Sequence, residues 1–141
     1  MKLWDVNILV CAFRADSPLH TAARVAVQTS FDRHEPYIFS SLVAVSFLRL
    51  VTNPRIFRNP SGLEEAWRFL DLLESHPAAF RAENDAMTYG IFKHLSLVSD
   101  ARGNDIPDAW LAATAMRHDA VLVTADRGFS RWAGLKVELI G

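Results

Sequence analysis

Ala120-Val121-Leu122-Val123-Thr124-Ala125-Asp126 holds the pattern that decides the architecture. Residues 120–124 are a short β-prone run without polar alternation, so both faces of the strand are expected to be covered, as in a parallel sheet layered by helices. The run ends at an aspartate, where the chain must turn. Just upstream, Pro107 opens a helical segment reaching about His118. Proline suits a first helical turn because its missing N–H would have no partner there. Ser99 to Ile106 reads as a polar loop, and Lys136 to Leu139 supplies a final strand.

The same alternation runs back to the N-terminus. Leu3 to Asp5 reads as a short strand and Asn7 to Phe13 as a helix. A second helix opens at Pro18 and runs toward Phe31, with Leu19, Ala22, Ala23, Ala26 and Val27 on one face. Tyr37-Ile38-Phe39 is β-rich. Ser40 or Ser41 then caps a helix with Leu42, Val45, Leu48 and Val51 at helical spacing, and Asn53-Pro54 stops it. After a turn at Asn59 to Gly62, a helix carrying Leu63, Ala66, Trp67, Leu70 and Leu73 closes at His76-Pro77. Ala79 to Ala82 is a candidate strand and Asp85 to Leu97 a candidate helix capped by Asn84 or Asp85. Strands separated by helices need crossover connections. The expected fold is therefore α/β, a three-layer α/β/α sandwich with a central parallel sheet, in one domain over residues 1–141.

Composition narrows the function classes. Half of the residues are hydrophobic and 22% are charged, which is globular composition without the apolar depletion of disordered chains. Ile8 to Phe13 is far too short to span a bilayer, and no membrane partner is expected. Cys11 is the one cysteine, so no internal disulfide can form; a buried, inert thiol and a cytoplasmic location are expected. The net charge of −1 neither favours nor excludes nucleic acid. Twelve of the fifteen basic residues are Arg, whose planar fork matches phosphate oxygens, and no acid lies between Glu35 and Glu64, a stretch that carries Arg49, Arg55 and Arg58.

Three aspartates, Asp5, Asp108 and Asp126, each stand where an apolar segment meets a turn or a helix start. In a parallel α/β sheet these ends converge beside the switch in strand order. Singly, each has a local reading: Asp5 as a helix cap, Asp108 at the positive end of a helix, Asp126 as an Asx turn. Together they form a set of carboxylates whose repulsion a cation would relieve. Their oxygens suit Mg²⁺ or Mn²⁺, and the absence of Cys/His pairs at ligand spacing disfavours structural zinc.

Asp-Val-Asn at residues 5–7, Arg-Leu-Val-Thr-Asn-Pro-Arg-Ile-Phe at 49–57, Gly-Asn-Asp-Ile-Pro-Asp-Ala at 103–109 and Val-Thr-Ala-Asp-Arg-Gly-Phe at 123–129 occur in one order along the chain. In these segments the chain resembles PIN-domain ribonucleases, and more narrowly the VapC toxins of bacterial toxin–antitoxin operons. The resemblance implies a metal-dependent endoribonuclease using Mg²⁺ or Mn²⁺, with RNA such as tRNA or rRNA as substrate. It also implies a VapB-like antitoxin as partner and pairing of toxin subunits into a homodimer. Asp5, Asp108 and Asp126 match the family's metal-holding acids. Asn7, Asn104 and Thr124 match polar positions that orient ligands or waters, with a turn-forming role as the alternative for each.

The match is incomplete. Where relatives place a glutamate before the Thr-Asn-Pro segment this chain has Ser46, and a further acid two residues after Asp126 is replaced by Gly128. Asp105, three residues before Asp108, is the candidate to compensate, with a solvated loop residue as the alternative. Two readings of function stay open: an active endoribonuclease, or a weakly active or non-catalytic PIN domain that binds RNA or antitoxin. A phosphatase with Asp5 as nucleophile would want a mid-chain lysine, and none occurs between Lys2 and Lys93.

Overall fold

The computed structural model describes residues 1–141, and its sheet is wholly parallel. Five strands, β1 (Lys2–Trp4), β2 (Tyr37–Phe39), β3 (Ala79–Arg81), β4 (Val121–Thr124) and β5 (Lys136–Leu139), lie in the order β3-β2-β1-β4-β5. Six helices connect them: α1 (Val6–Phe13), α2 (His20–Asp32), α3 (Ser41–Val51), α4 (Leu63–Ser75), α5 (Ala86–Val98) and α6 (Asp105–Arg117). A short 3-10 turn, Arg127–Arg131, precedes β5.

The chain builds outward from β1 to β3, then returns across the sheet to β4 and β5. Parallel crossovers are right-handed, so this reversal sends the helices after β3 to the opposite face from those after β1 and β2. Helix contacts divide accordingly. α1 packs on α2 and α3, and α3 on α4, while α5 and α6 pack on each other. Between these layers β1 and β4 are buried, with Leu3, Leu122 and Val123 fully enclosed. The reversal also creates the switch point: α1 leaves the carboxyl end of β1 toward one side, and the 3-10 turn leaves β4 beside it toward the other.

The structure moves several boundaries. α6 begins at Asp105, two residues before Pro107, because Asp105 and Ile106 donate to the Arg102 and Gly103 carbonyls and start the turn early. Pro107 still falls among the first residues, whose N–H groups have no helical partner. Asp105 is thus a helical residue, not part of a loop. At the start of α2, Ser17 absorbs the turn instead, its carbonyl accepting from the His20 N–H, so Pro18 lies before the helix. Ala22 faces solvent while Ala23 and Val27 are buried.

The buried face of α3 is Val43, Phe47 and Val51; Val45 is 65% exposed. Nearly every residue of that helix is apolar, so periodicity alone does not select the side that meets the core. On α4 the buried stripe narrows to Ala66, Leu70 and Leu73, leaving Leu63 and Trp67 exposed. Asp85 is the cap of α5, its carboxylate accepting from the Thr88 N–H and hydroxyl. Cys11 is free but only half-buried against the core.

Candidate active site

Asp5 stands one residue past β1, in extended conformation at the N-cap of α1. Its N–H donates to the Val123 carbonyl of β4, which carries the strand pairing to the sheet's end. The side chain does not cap α1. Instead the Thr124 hydroxyl donates to Asp5 Oδ2 at 2.6 Å across the β1–β4 seam. Asp5 is 5% exposed and Thr124 is fully buried, so this bond is made out of water's reach.

The same hydroxyl oxygen accepts from the Asp126 N–H at 3.0 Å and from Asn7 Nδ2 at 3.4 Å. Asn7 Oδ1 accepts from the Ala125 N–H at 3.2 Å. Thr124 and Asn7 therefore sew the turn after β1 to the turn after β4. A short polar side chain at each strand end finds its partner only because the strands are adjacent and parallel. Asp126 Oδ1 accepts from the Gly128 N–H at 2.7 Å, the Asx turn expected of it, while the carboxylate stays exposed.

Asp108 enters from the first turn of α6. Its carboxyl is pushed up to about 6, first by burial and next by the charge of Asp5, with Asp126 and Asp105 adding and Arg131 opposing. Asp5 is also raised, chiefly by burial, against the lowering effect of Thr124 and with a contribution from Asp126. Asp108 feels the charges of the other acids, and Asp5 that of Asp126. The three aspartates singled out in the sequence are thus gathered at the switch point, on three separate segments of chain.

The remaining candidates divide. Asp105 joins the cluster from the first position of α6, accepting from the Arg102 N–H at 3.4 Å. Asn104 is the N-cap residue of α6 but makes no side-chain capping bond and stays exposed. Ser46 lies mid-way along α3, half-buried, and its hydroxyl bonds to none of the site residues. Arg49, Arg55, Arg58 and Arg127 are exposed.

Sequence reading missed one residue. Arg131, at the end of the 3-10 turn, sets Nη2 3.4 Å from both Asp105 Oδ1 and Asp108 Oδ2. Five residues beyond Asp126, it carries no motif signal; only the packing of the 3-10 turn beside α6 reveals it.

As a donor set, the site fits a hard divalent cation: all its ligand atoms are oxygens, and their mutual repulsion is relieved by positive charge. The side chains do not stand closed around one, since no three acidic or imidazole groups converge tightly enough to grip an ion as they lie. Arg131 supplies the positive charge in this arrangement.

A parallel α/β fold of this kind binds ligands in the crevice at its switch point, where these acidic side chains lie. Comparison with known proteins identifies the family. The model of the PIN domain family matches residues 2–135. VapC ribonuclease Mb2897 of Mycobacterium bovis is 39% identical over 132 residues, covering 94% of this chain and 90% of that protein. Ribonuclease VapC25 of Mycobacterium tuberculosis is 35% identical over 136 residues, covering 96% of each. The chain belongs to the PIN domain family. Among solved structures, VapBC2 from Rickettsia felis, bound to a promoter DNA fragment, superposes with a TM-score of 0.74 at 19% identity, covering 99% of this chain and 98% of that one. VapBC from Salmonella typhimurium gives 0.68 at 17% identity, covering 100% and 99%. At those identities the likeness speaks for the fold.

Proposed function

We propose that this protein is a toxin endoribonuclease of the VapC kind, hydrolysing phosphodiester bonds in RNA at the β1–β4 switch point. One observation carries the reading: relatives at 35–39% identity over nearly the whole chain are named VapC ribonucleases. PIN-domain VapC ribonucleases generally depend on a divalent metal; Mg²⁺ or Mn²⁺ suits the oxygen donors here. Asp5, Asp108 and Asp126 would hold it, and when bound it would supply an acidified water and charge neutralisation at the scissile phosphate.

The chain's own residues prepare that step. Thr124 and Asn7 fix the Asp5 carboxylate and the backbone of the Asp126 turn. Asp108 reaches the same end of the sheet from the first turn of α6, beside Arg131. Asp105, paired with Arg131, is the acid proposed to compensate for the glutamate that Ser46 replaces. The exposed Arg127 and the Arg49–Arg58 stretch are available for the RNA backbone.

A VapB-like antitoxin is the proposed partner. The groove between α2 and α4, lined by Val27, Phe31, Phe69, Leu72 and Leu73, offers apolar side chains to an amphipathic segment, with Leu72 62% exposed. No helix is long and apolar enough to cross a membrane, and a cytoplasmic site of action is part of the proposal.

The test is incubation of purified protein with total RNA and Mg²⁺ or Mn²⁺ beside an Asp5→Asn variant. Cleavage lost in the variant is the expected result; equal cleavage, or none by either, rejects catalysis at this site and favours a binding module. Ser46→Glu should raise metal-dependent cleavage if the missing acid limits activity.

A further inference from the structure

The acidic site holds a cation of its own. Arg131 Nη2 stands 3.4 Å from a carboxylate oxygen of Asp105 and of Asp108, two residues one helical turn apart on α6. Beside it runs the Gly128 backbone: a methyl group built there would lie 2.9 Å from Arg131 Nη1 and 3.0 Å from Asp126 Oδ1. The bare glycine lets both side-chain ends lie close to the backbone. From behind, the guanidinium lies over the Trp132 ring at 4.1 Å, and that ring is only 3% exposed. The charge is therefore tethered and directed, yet the pairs are long and about a third exposed, the regime in which an ion pair is readily surrendered.

We propose that Arg131 is a tethered counter-ion of this site, which neutralises Asp105 and Asp108 when no divalent ion is bound and must release them for one to bind. Its function is positioning: it holds the Asp105 and Asp108 carboxylates together without a metal, at the expense of metal affinity. The inference rests on the reading that Asp5, Asp108 and Asp126 hold the cation.

The experiment is Mn²⁺ binding to the protein alone, followed by the electron paramagnetic resonance of free Mn²⁺, with thermal melts in EDTA and in Mn²⁺. Wild type, Asp5→Asn, Arg131→Gln and Arg131→Lys are compared without RNA. Removing one positive charge from the site should tighten Mn²⁺ binding roughly three- to tenfold in Arg131→Gln. The gain should shrink at about 0.5 M salt, where exposed charges are screened. Arg131→Lys keeps the charge and should bind like wild type. Arg131→Gln should also melt lower than wild type in EDTA and gain more from Mn²⁺, which a merely structural arginine would not do. If the glutamine variant does not fold, Arg131→Met keeps an apolar stem over Trp132 and should show the same tightening. Unchanged or weaker Mn²⁺ binding in the Arg131 variants, with binding still dependent on Asp5, overturns the role of Arg131. Absence of any Asp5-dependent Mn²⁺ binding overturns the site reading itself.

Discussion

Replacing Thr124 by valine removes one hydroxyl and keeps the side-chain volume, which isolates the seam between β1 and β4. The bond from that hydroxyl to Asp5 is short at 2.6 Å, buried at both ends and made to a carboxylate. Hydrogen bonds to charged groups contribute about 1.5–3 kcal/mol. The two bonds that Thr124 accepts add less: both come from uncharged donors, and the Asn7 contact is long at 3.4 Å. The expected cost of Thr124→Val is therefore about 2–3 kcal/mol, or a urea midpoint lower by about 1 M.

The cost should depend on pH. Thr124 holds down an Asp5 carboxyl that burial raises, so its removal lets that value rise further. A raised carboxyl stabilises the fold below its unfolded value near 3.8 and loses that contribution as pH climbs through the folded value. Thr124→Val should consequently be more damaging at pH 7 than at pH 4. Thr124→Ser keeps the hydroxyl and should cost only about 1 kcal/mol for the lost methyl. Urea melts at the two pH values check all three statements. A serine variant as damaging as valine, or a valine cost that does not change with pH, would refute the claim that the hydroxyl–carboxylate bond organises the site.

Asp108→Asn should stabilise the metal-free protein at neutral pH. Its carboxyl is raised to about 6, so the wild type has its full contribution below about pH 4 and loses it as pH rises through 6. Allowing for a side chain 30% exposed, the gain is about 1–2 kcal/mol at pH 7.5 and vanishes at pH 4, as melts in EDTA would record. Arg14→Ala should loosen the segment after α3. Arg14 is 8% exposed, pairs with Asp16, donates to the Asn59 carbonyl and Ser61 hydroxyl, and stacks on Phe57 at 4.0 Å. Loss of about 2–4 kcal/mol and faster hydrogen exchange over residues 53–62 are expected, and unchanged exchange there would contradict the role given to Arg14.

How far the sequence reached differs by level. Strand identity and sheet class were legible because β4 is apolar on both faces, and because proline, serine and asparagine punctuate the helices at their ends. The gathering of Asp5, Asp108 and Asp126 was legible for the same reason, since parallel topology brings strand ends to one edge. Helix faces were less so. On α3 the apolar residues encircle the axis, and only contact with α1 and α4 selects Val43, Phe47 and Val51.

By itself, then, the sequence determined the period of each segment, the parallel sheet and the three acids at its switch point, because these follow from local pattern and chain order. Tertiary structure alone decided that Thr124 would bind Asp5 across 119 residues and that Arg131 would come to rest among the carboxylates. Those outcomes depend on which surfaces meet when the layers close. A charge that arrives from another segment leaves no periodicity, spacing or cap in the chain that carries it.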